Sequence, residues 1–275
     1  MNTDAETSVS SYYNTSGWKT NDGITEDARR CEDLREAAKE YVSKCRLRVL
    51  NYIPDSGENI LDMASGPIQY DEYFEYSKHF KKRYCIDLSQ QALDQAKSKI
   101  GDHGVYICGS FLSIPLEKDF FDCTISLHTI YHIDKNTQED AVRKLIEVTK
   151  PGKNIIIVYS NPHSIIQFFL VPILTIKKIL LQWSKQKNQN SKESEIYFFA
   201  HPINWWSRFQ DSASVKIVPW RSLPSEVQKR IIPNNKIGKK IFDILFKMEE
   251  RYPHFFVHFF QYPMIILTKR NSNFT

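Results

Sequence analysis

The stretch that decides the fold runs from Ile60 to Tyr70 and reads ILDMASGPIQY. An apolar run ends at Asp62 and enters a turn in which Gly66 is the single glycine. In α/β sheets such a turn follows the first strand, and its glycine lets the backbone come close to a ligand. The stretch therefore predicts a ligand site at the carboxyl end of that strand.

On both sides of this stretch, strand-like and helix-like segments alternate. This alternation predicts an α/β fold, in which a largely parallel sheet carries helices on both faces and the crossovers are right-handed. The predicted strands are Ile60–Met63, Arg83–Asp87, Gly104–Cys108, Cys123–Leu127, Asn154–Tyr159, 214–220 and 261–270. The predicted helices are Thr25–Leu50, Asp71–Phe80, Ser89–Ile100, Thr137–Thr149, a short one at 201–209 and Lys239–Arg251.

Length and composition set limits on the class of protein. The 275 residues carry a formal net charge of +5, which is small for a dedicated nucleic-acid binder, and no basic stripe is interleaved with aromatics. The five cysteines form no CxxC pair, so we expect reduced, buried thiols and no metal site. The N-terminus lacks the pattern of a secretory signal, and a cytoplasmic protein is expected.

Four segments are predicted along the chain. Residues 1–58 form an N-terminal lid and helix, 59–161 the ligand-binding core, 162–200 an apolar insert, and 201–275 the last strands with a helical insert. The apolar stretch Ser164–Trp183 is interrupted by Pro172 and two lysines, and it falls short of the roughly 20 apolar residues of a spanning helix. A buried helix or lid is the first interpretation, and a surface that contacts a bilayer or a lipid-like substrate is the alternative.

Polar residues follow several predicted strands. Asp87 ends the second strand 21 residues after Gly66, a spacing that suits a carboxylate binding the diol of a ribose. A helix N-cap is the alternative role for this aspartate, although Ser89 could take that role instead. The Ser110-Phe111 step follows the third strand and could hold an adenine edge, and His128 lies just past the fourth.

Together these pieces resemble the class I S-adenosylmethionine-dependent methyltransferases over roughly residues 60–159. The resemblance is carried by ILDMASGPI, CIDLS, GSFLSIPLEKDFFDCTISLHTIYHI and VTKPGKNIIIVYS. It implies a Rossmann-like seven-stranded mixed sheet whose last strand is antiparallel, helical lid inserts, and S-adenosylmethionine as the cofactor. The cofactor-binding residues that it implies are Asp62, Ala64, Ser65, Gly66, Asp87, Leu88, Ser110, Phe111 and Leu127.

The sequence departs from the family pattern at three positions. Ala64 and Ile68 stand where the family usually has glycine, and Ser110 stands where it often has an aspartate for the adenine amino group. We expect a negative φ at Ala64, Ile68 already on the following helix, and a weaker hydrogen bond at Ser110. The site is therefore predicted to be modified but functional. An NAD-dependent dehydrogenase is disfavoured, because its pyrophosphate normally needs GxGxxG.

The resemblance implies in-line methyl transfer to a small-molecule acceptor, with alignment and water exclusion supplied by the protein. His128 is the predicted general base, with Tyr131 as a weaker helper, and a cofactor-packing or orienting role for His128 is the alternative. Candidate substrate contacts are Tyr13, Trp18, His132, Asn161 and Arg221, with a structural role for His132 and a surface position for Arg221 as alternatives.

The acceptor is open to several interpretations. The segment HPINWWSRF is similar to one in methyltransferases of bacterial sugar, polysaccharide and natural-product pathways, which favours O- or N-methylation of a sugar or glycan intermediate. The sequence SLHTIY replaces the Asn/Asp-Pro-Pro-aromatic motif of DNA amino-methyltransferases, so a nucleobase is not expected. A non-catalytic binding protein and an enzyme acting on a lipid-linked substrate at a membrane surface are the alternatives, and the sequence does not predict an oligomeric state.

Overall fold

The computed structural model describes residues 4–165 and 196–271. Most of the apolar stretch Ser164–Trp183 therefore lies outside the described residues, together with the interpretations attached to it. The described helices are α1 (Asp4–Tyr12), α2 (Glu26–Cys31), α3 (Glu36–Leu47), α4 (Glu72–Glu75), α5 (Gln90–Ile100), α6 (Gln138–Val148), α7 (Ser225–Ile231), α8 (Lys236–Arg251) and α9 (Pro253–Phe259). A π-helical turn covers Tyr13–Gly17, and 3₁₀ segments cover Arg48–Tyr52, Gly101–His103, Ile130–His132 and Ile203–Phe209.

The main sheet has seven strands in the order β5-β4-β3-β6-β7-β9-β8, and a small hairpin precedes it. The five strands from β5 to β7 are parallel, whereas β9 is antiparallel to both β7 and β8. The predicted mixed sheet with an antiparallel last strand is therefore confirmed. The strands are β1 (Thr20–Asn21) and β2 (Ile24–Thr25) in the hairpin, then β3 (Gly57–Met63), β4 (Phe80–Asp87), β5 (Gly104–Cys108), β6 (Phe121–Leu127), β7 (Thr149–Val158), β8 (Ala213–Arg221) and β9 (Tyr262–Lys269).

Both faces of the sheet are buried, which explains the apolar runs of its strands. Along β3, Leu61 and Met63 pack into the cluster on one face, while Ile60 packs into the cluster on the other. Successive side chains of a strand point to opposite faces, so a strand covered on both sides reads as continuously apolar. The order of strands reverses between β3 and β6, and this switch point is where open α/β sheets bind ligands.

Two predicted helices were wrong in extent. The helix predicted over Thr25–Leu50 is divided into α2 and α3, because the Asp33 carboxylate accepts the backbone N–H of Arg35 (3.2 Å) and favours a turn there. Leu34 lies between the two helices and is 48% exposed. The helix predicted over Asp71–Phe80 shrinks to the single turn α4, and Phe80 begins β4 instead.

The cysteines are free, as expected, but they are not all buried. Cys45, Cys85 and Cys123 are buried in the core, whereas Cys31 and Cys108 are exposed. Cys108 ends β5 at the edge of the sheet, and Cys31 lines the cavity described below. The expected burial of the cysteines rests on their position in apolar segments alone, and the ends of these segments reach solvent.

Candidate active site

A cavity of about 260 Å³ lies at the carboxyl ends of β3, β4 and β6. Its floor is built from the loops that follow these strands, and its cover is built from α1, the turn Tyr13–Gly17 and α2. Most of the predicted site residues therefore meet at one place. Those that line the cavity are Asp62, Ala64, Ser65, Gly66, Asp87, Leu88, Phe111, Leu127, His128, Tyr131, Tyr13, Trp18, His132 and Arg221.

Two predicted residues do not line the cavity. Asn161 is buried, and its amide donates to the carbonyls of His258 and Phe260 (both 3.1 Å), where it ties the end of β7 to α9. Asn161 therefore has a structural contact at this position instead of facing the cavity. Ser110 does not line the cavity, and its hydroxyl donates to the carboxylate of Glu6, which is a lining residue.

Asp87 connects two of the loops that form the floor. One carboxylate oxygen accepts the backbone N–H of Gly66 (2.9 Å), and the other accepts that of Ser89 (2.8 Å). Burial raises the pKa of Asp87 to about 6, while these N–H groups act in the opposite direction. Ser89 is the N-cap of α5, since its hydroxyl accepts from Ala92, so Asp87 does not have that role. Each carboxylate oxygen keeps a lone pair for a ligand.

Asp62 is engaged with the core. Its carboxylate accepts from Nε (3.1 Å) and Nη2 of Arg83, and both side chains are almost fully buried. A buried carboxylate needs such a partner, because an isolated charge would cost several kcal/mol to desolvate. The pair joins β3 to β4 directly beneath the cavity, so Asp62 supports the floor as well as lining it.

The loop after β3 differs from expectation at both non-glycine positions. Ala64 has φ of 56° and Ile68 has φ of 47°, so neither the expected negative φ at Ala64 nor the helical position of Ile68 is found. Left-handed backbone costs an L-residue roughly 1–2 kcal/mol. Surrounding contacts hold it in place: the Ala64 N–H donates to the Ile86 carbonyl (2.7 Å), and Ile68 is fully buried in a small cluster with Leu93.

We expect Ala64→Gly to stabilise the apoprotein by about 0.5–1 kcal/mol, because glycine removes the left-handed strain at a smaller entropic cost. The midpoint of urea denaturation measures this change. Ala96→Gly is the comparison variant, since Ala96 is buried within α5 and its replacement should lower the free energy of unfolding by about 1 kcal/mol or more. Equal destabilisation by both variants would contradict the strain at Ala64.

His128 lies at the tip of β6 in a neutral state. Its Nδ1 is 3.0 Å from the Tyr131 hydroxyl, and its ring packs edge-to-face against Trp220 and Tyr262. Burial first, and then the positive charge of Arg221, lower the pKa of His128 to about 3. An imidazolium is strongly disfavoured there, so His128 presents a neutral ring to the cavity.

The end of the cavity near His128 also contains charged groups that sequence reasoning did not connect. Arg221 is 3% exposed, donates to Glu32 at 2.7 Å, and lies over the rings of Trp220 and Tyr262. Asp27 lines the same cavity, and burial followed by repulsion from Glu32 raises its pKa to about 6. We call this part, lined by Asp27, Glu32, His128, Arg221 and Tyr262, the polar chamber.

A helical signal could have revealed part of the polar chamber. Asp27 and Cys31 are four residues apart and therefore share a face of α2. The sequence prediction of this helix rests on its apolar face alone. The pairing of Glu32 with Arg221 spans 189 residues and has no local sequence signal.

The N-terminal segment closes the cavity from above. The Ser89 hydroxyl donates to the Asn14 side chain at 2.6 Å, and the indole of Trp18 lies over the loop at Gly66. A Cβ at Gly66 would lie 3.1 Å from that ring, so the close approach and the φ of 55° both require glycine. Trp18 stacks on Tyr13 in turn, with ring centroids 4.6 Å apart.

The described residues contain neither a cluster of metal ligands nor a membrane-spanning helix. Within residues 4–165 and 196–271, no group of three or more His, Cys, Asp or Glu side chains could hold a metal ion. Across those same ranges, every helix is too short or too polar to cross a bilayer.

Comparison with known sequences finds a similarity within the core. Residues 61–157 match the model of a family described as a methyltransferase domain. An uncharacterized methyltransferase from Geobacillus sp. (strain WCH70) is 28% identical over 76 residues, which are 28% of this chain and 36% of that protein. The match thus spans about a third of that relative's length.

Comparison with solved structures extends the likeness to almost the whole chain. The geranyl diphosphate C-methyltransferase from Streptomyces coelicolor A3(2) aligns with a TM-score of 0.56 and 14% identity, over 97% of this chain and 98% of that one. The N-methyltransferase NodS from Bradyrhizobium japonicum WM9 aligns with a TM-score of 0.55 and 11% identity, over 98% and 100%. A phosphoethanolamine N-methyltransferase from Haemonchus contortus aligns with a TM-score of 0.50 and 12% identity, over 83% of this chain but only 53% of its own. At such identities these likenesses establish the fold.

Proposed function

We propose that this chain, whose core is a methyltransferase domain with the class I fold, transfers a methyl group from S-adenosylmethionine to a small-molecule acceptor. The observation that carries the proposal is the contact of Asp87 with Gly66 at the switch point of the sheet. It places a carboxylate beside a glycine turn in a cavity whose other end is the polar chamber. A cofactor end and an acceptor end therefore lie in one enclosed space.

The residues present fit the cofactor. The Asp87 carboxylate suits the ribose diol, because its two oxygens can accept two hydroxyl donors. Leu88 and Phe111 provide apolar surface on the same side of the cavity, and the turn at Gly66 has the backbone freedom that close approach needs. A dinucleotide fits less well, since the loop lacks the GxGxxG glycines for a pyrophosphate.

The order of strands separates two ends of the cavity. Asp87 ends β4, which has β5 on one side and β3 followed by β6 on the other. The polar chamber lies on the β6 side and would receive the acceptor, whereas residues near the loop after β5 would hold the purine. The acceptor groups at that end include the Glu6 carboxylate and the Ser110 hydroxyl, which are hydrogen-bonded to each other.

Glu6 would accept the hydrogen bond of the adenine amino group. It supplies from the N-terminal segment the carboxylate that Ser110 does not have. Cofactor binding would thereby be coupled to closure of α1 over the cavity. Sequence reasoning missed Glu6, because residues 6 and 110 are 104 positions apart and their pairing has no local signal.

We expect Glu6→Ala to reduce the preference for S-adenosylhomocysteine over S-inosylhomocysteine about tenfold, since the 6-oxo group of the latter cannot donate to a carboxylate. Calorimetric titration of both ligands measures the ratio. Ser11→Ala, an exposed change on the same helix, is the control and should leave the ratio unaltered. An unchanged ratio in Glu6→Ala would remove Glu6 from adenine recognition.

The polar chamber suits an acceptor that carries hydroxyl or amino groups. Arg221 donates hydrogen bonds, Asp27 and Glu32 accept them, and the ring of Tyr262 offers an apolar face. Such a combination of donors, acceptors and ring faces matches a sugar or glycan intermediate and agrees with the tryptophan-containing segment at 201–209. The neighbours with solved structures include C- and N-methyltransferases.

Two groups in the polar chamber could take a proton from the acceptor. His128 was the predicted base, but its pKa of about 3 makes the protonated ring costly. Asp27, with a pKa of about 6, is closer to the range in which a general base is efficient. We assign the role of general base to Asp27 and an orienting role to His128, whose ring is held by the Tyr131 hydroxyl. When bound, the cofactor supplies an electrophilic methyl carbon.

The proposal is tested by calorimetric titration with S-adenosylmethionine, S-adenosylhomocysteine and NAD, followed by a screen of sugars and amino sugars with methyl-labelled donor. Micromolar binding of the first two, no binding of NAD, and transfer of label to one acceptor class are expected. Binding without transfer to any acceptor would favour the non-catalytic binding protein. Silence with all three ligands would overturn the cofactor assignment.

A further inference from the structure

Exposed apolar side chains are concentrated on α8 and α9. Seven of the twelve large hydrophobic residues that are exposed in the described part of the chain lie between Ile237 and Phe259. Ile237 is 65% exposed, and Phe255 is 49% exposed. Scattered apolar residues are normal on protein surfaces, whereas a contiguous set marks an interaction site.

The apolar residues of α8 form one stripe along the helix. Ile237, Ile241, Ile244 and Met248 follow the spacing of four, three and four residues that places side chains on one face. Another face of the helix is buried at Gly238, Phe242 and Glu249, where α8 packs on α3. The helix thus has a second apolar face, which is exposed. Tyr252, Phe255 and Phe259 continue this surface onto α9.

A row of basic side chains runs beside the stripe. Lys236, Lys240, Lys247 and Arg251 are separated by four, seven and four residues, so they follow the same helical path. Among the ion pairs described for the chain, none involves Lys236, Lys240 or Arg251. The surface therefore combines apolar and positively charged residues in adjacent rows.

The acidic residues of α8 are turned towards α3. Asp243 lies 3.7 Å from Lys44 and 2.8 Å from Lys247, and Glu250 lies 2.7 Å from Arg48. These carboxylates are therefore paired with basic residues, and Lys247 of the basic row is one of the partners. Lys236, Lys240 and Arg251, which take part in none of the described ion pairs, are the positive charges that remain beside the exposed stripe.

We propose that α8 and α9 form a surface that docks on an anionic lipid bilayer. The stripe from Ile237 to Met248, with Phe255 and Phe259, would lie in the headgroup region, and the basic row would face the anionic headgroups. An apolar stripe flanked by lysines on a helix of modest overall hydrophobicity is the pattern of helices that lie in the membrane plane. The charge row is the observation that selects an anionic bilayer over an uncharged partner. The proposal is independent of methyl transfer.

Co-sedimentation of the full chain with vesicles tests this surface. The protein is expected to bind vesicles of phosphatidylcholine that contain about 30% phosphatidylglycerol, because such peripheral sites require anionic lipid. It is not expected to bind vesicles of phosphatidylcholine alone. Lys240→Gln and Arg251→Gln should each weaken binding about fivefold, and Ile241→Glu with Ile244→Glu should abolish it. Lys97→Gln, an exposed change on α5, is the matched control and should bind as the unchanged protein does.

Four other results would overturn the proposal. No binding to either vesicle would remove the membrane as the partner, and binding that all variants retain would place the membrane contact on another surface of the chain. A concentration-dependent dimer that Ile244→Glu dissociates would make a second copy of the chain the occupant. A fall of the melting temperature by about 5 °C or more in the double glutamate variant would show that other residues of the chain cover the stripe.

Discussion

Asp87→Ala is expected to lower the affinity for S-adenosylmethionine and S-adenosylhomocysteine at least about a hundredfold. Two hydrogen bonds from the ribose to a carboxylate would be lost, each worth roughly 1.5–3 kcal/mol. The same carboxylate holds the backbone N–H groups of Gly66 and Ser89, so the floor of the cavity also loses its connection. Calorimetric titration at pH 7.5 measures the loss.

The affinity should also depend on pH through Asp87. Its pKa is raised from 3.8 to about 6, so the carboxyl is protonated below pH 6 and the ribose loses a charged acceptor. Affinity should therefore fall by about tenfold for each pH unit below 6. Stability of the apoprotein changes in the opposite direction. Because the folded pKa is the higher one, the folded state binds the proton more readily, and the contribution of Asp87 decreases as pH rises from about 4 to 6.

Two variants separate the charge from the hydrogen bonds. Asp87→Asn keeps the volume but turns an amide donor towards one of the two N–H donors, so it should lose affinity as the alanine variant does and show no pH dependence near 6. Asp94→Ala, an exposed change on α5, is the control. Retention of affinity within threefold in Asp87→Ala would refute the assigned ribose contact.

The sheet and its ribose acid were accessible from the sequence because their signals are local. The strands β3, β6 and β7 carry apolar residues on both faces, since both faces are buried, and Asp87 follows Gly66 at the spacing set by one crossover. The backbone of the loop was not accessible in this way. Ala64 and Ile68 have positive φ only because contacts to Ile86 and a buried cluster enforce it. No local propensity of alanine or isoleucine predicts that conformation.

The cover of the cavity depends on contacts between distant parts of the chain. Glu6 meets Ser110, and Glu32 meets Arg221, and neither pairing leaves a periodic pattern in the sequence. Asn161 is the converse case. Its position after β7 suggested a ligand contact, yet its amide is used to hold the end of α9. Polar residues after strands are thus recruited for structure or for ligand binding by contacts that only the fold supplies.

Asp27→Asn is expected to lower kcat for the acceptor identified by the label screen by about a hundredfold, the range for loss of a positioned general base. The asparagine keeps the size of the side chain at the wall of the polar chamber and removes its proton affinity. At saturating S-adenosylmethionine, where the titration of Asp87 no longer limits the rate, kcat of the unchanged enzyme should fall below pH 6, because the Asp27 carboxyl becomes protonated. Asp27→Asn should lack this acid limb.

His128→Ala separates the two candidate bases. An orienting role predicts a higher KM for the acceptor together with an unchanged limb near pH 6, because a group with a pKa of about 3 does not titrate there. Asp22→Asn, an exposed aspartate of the hairpin between α1 and α2, is the control for a charge removed from the same segment. If Asp27→Asn left the pH profile unchanged and His128→Ala lowered kcat about a hundredfold, the general base would be His128 instead of Asp27. That result would require a bound acceptor to offset Arg221, whose charge otherwise opposes an imidazolium beside it.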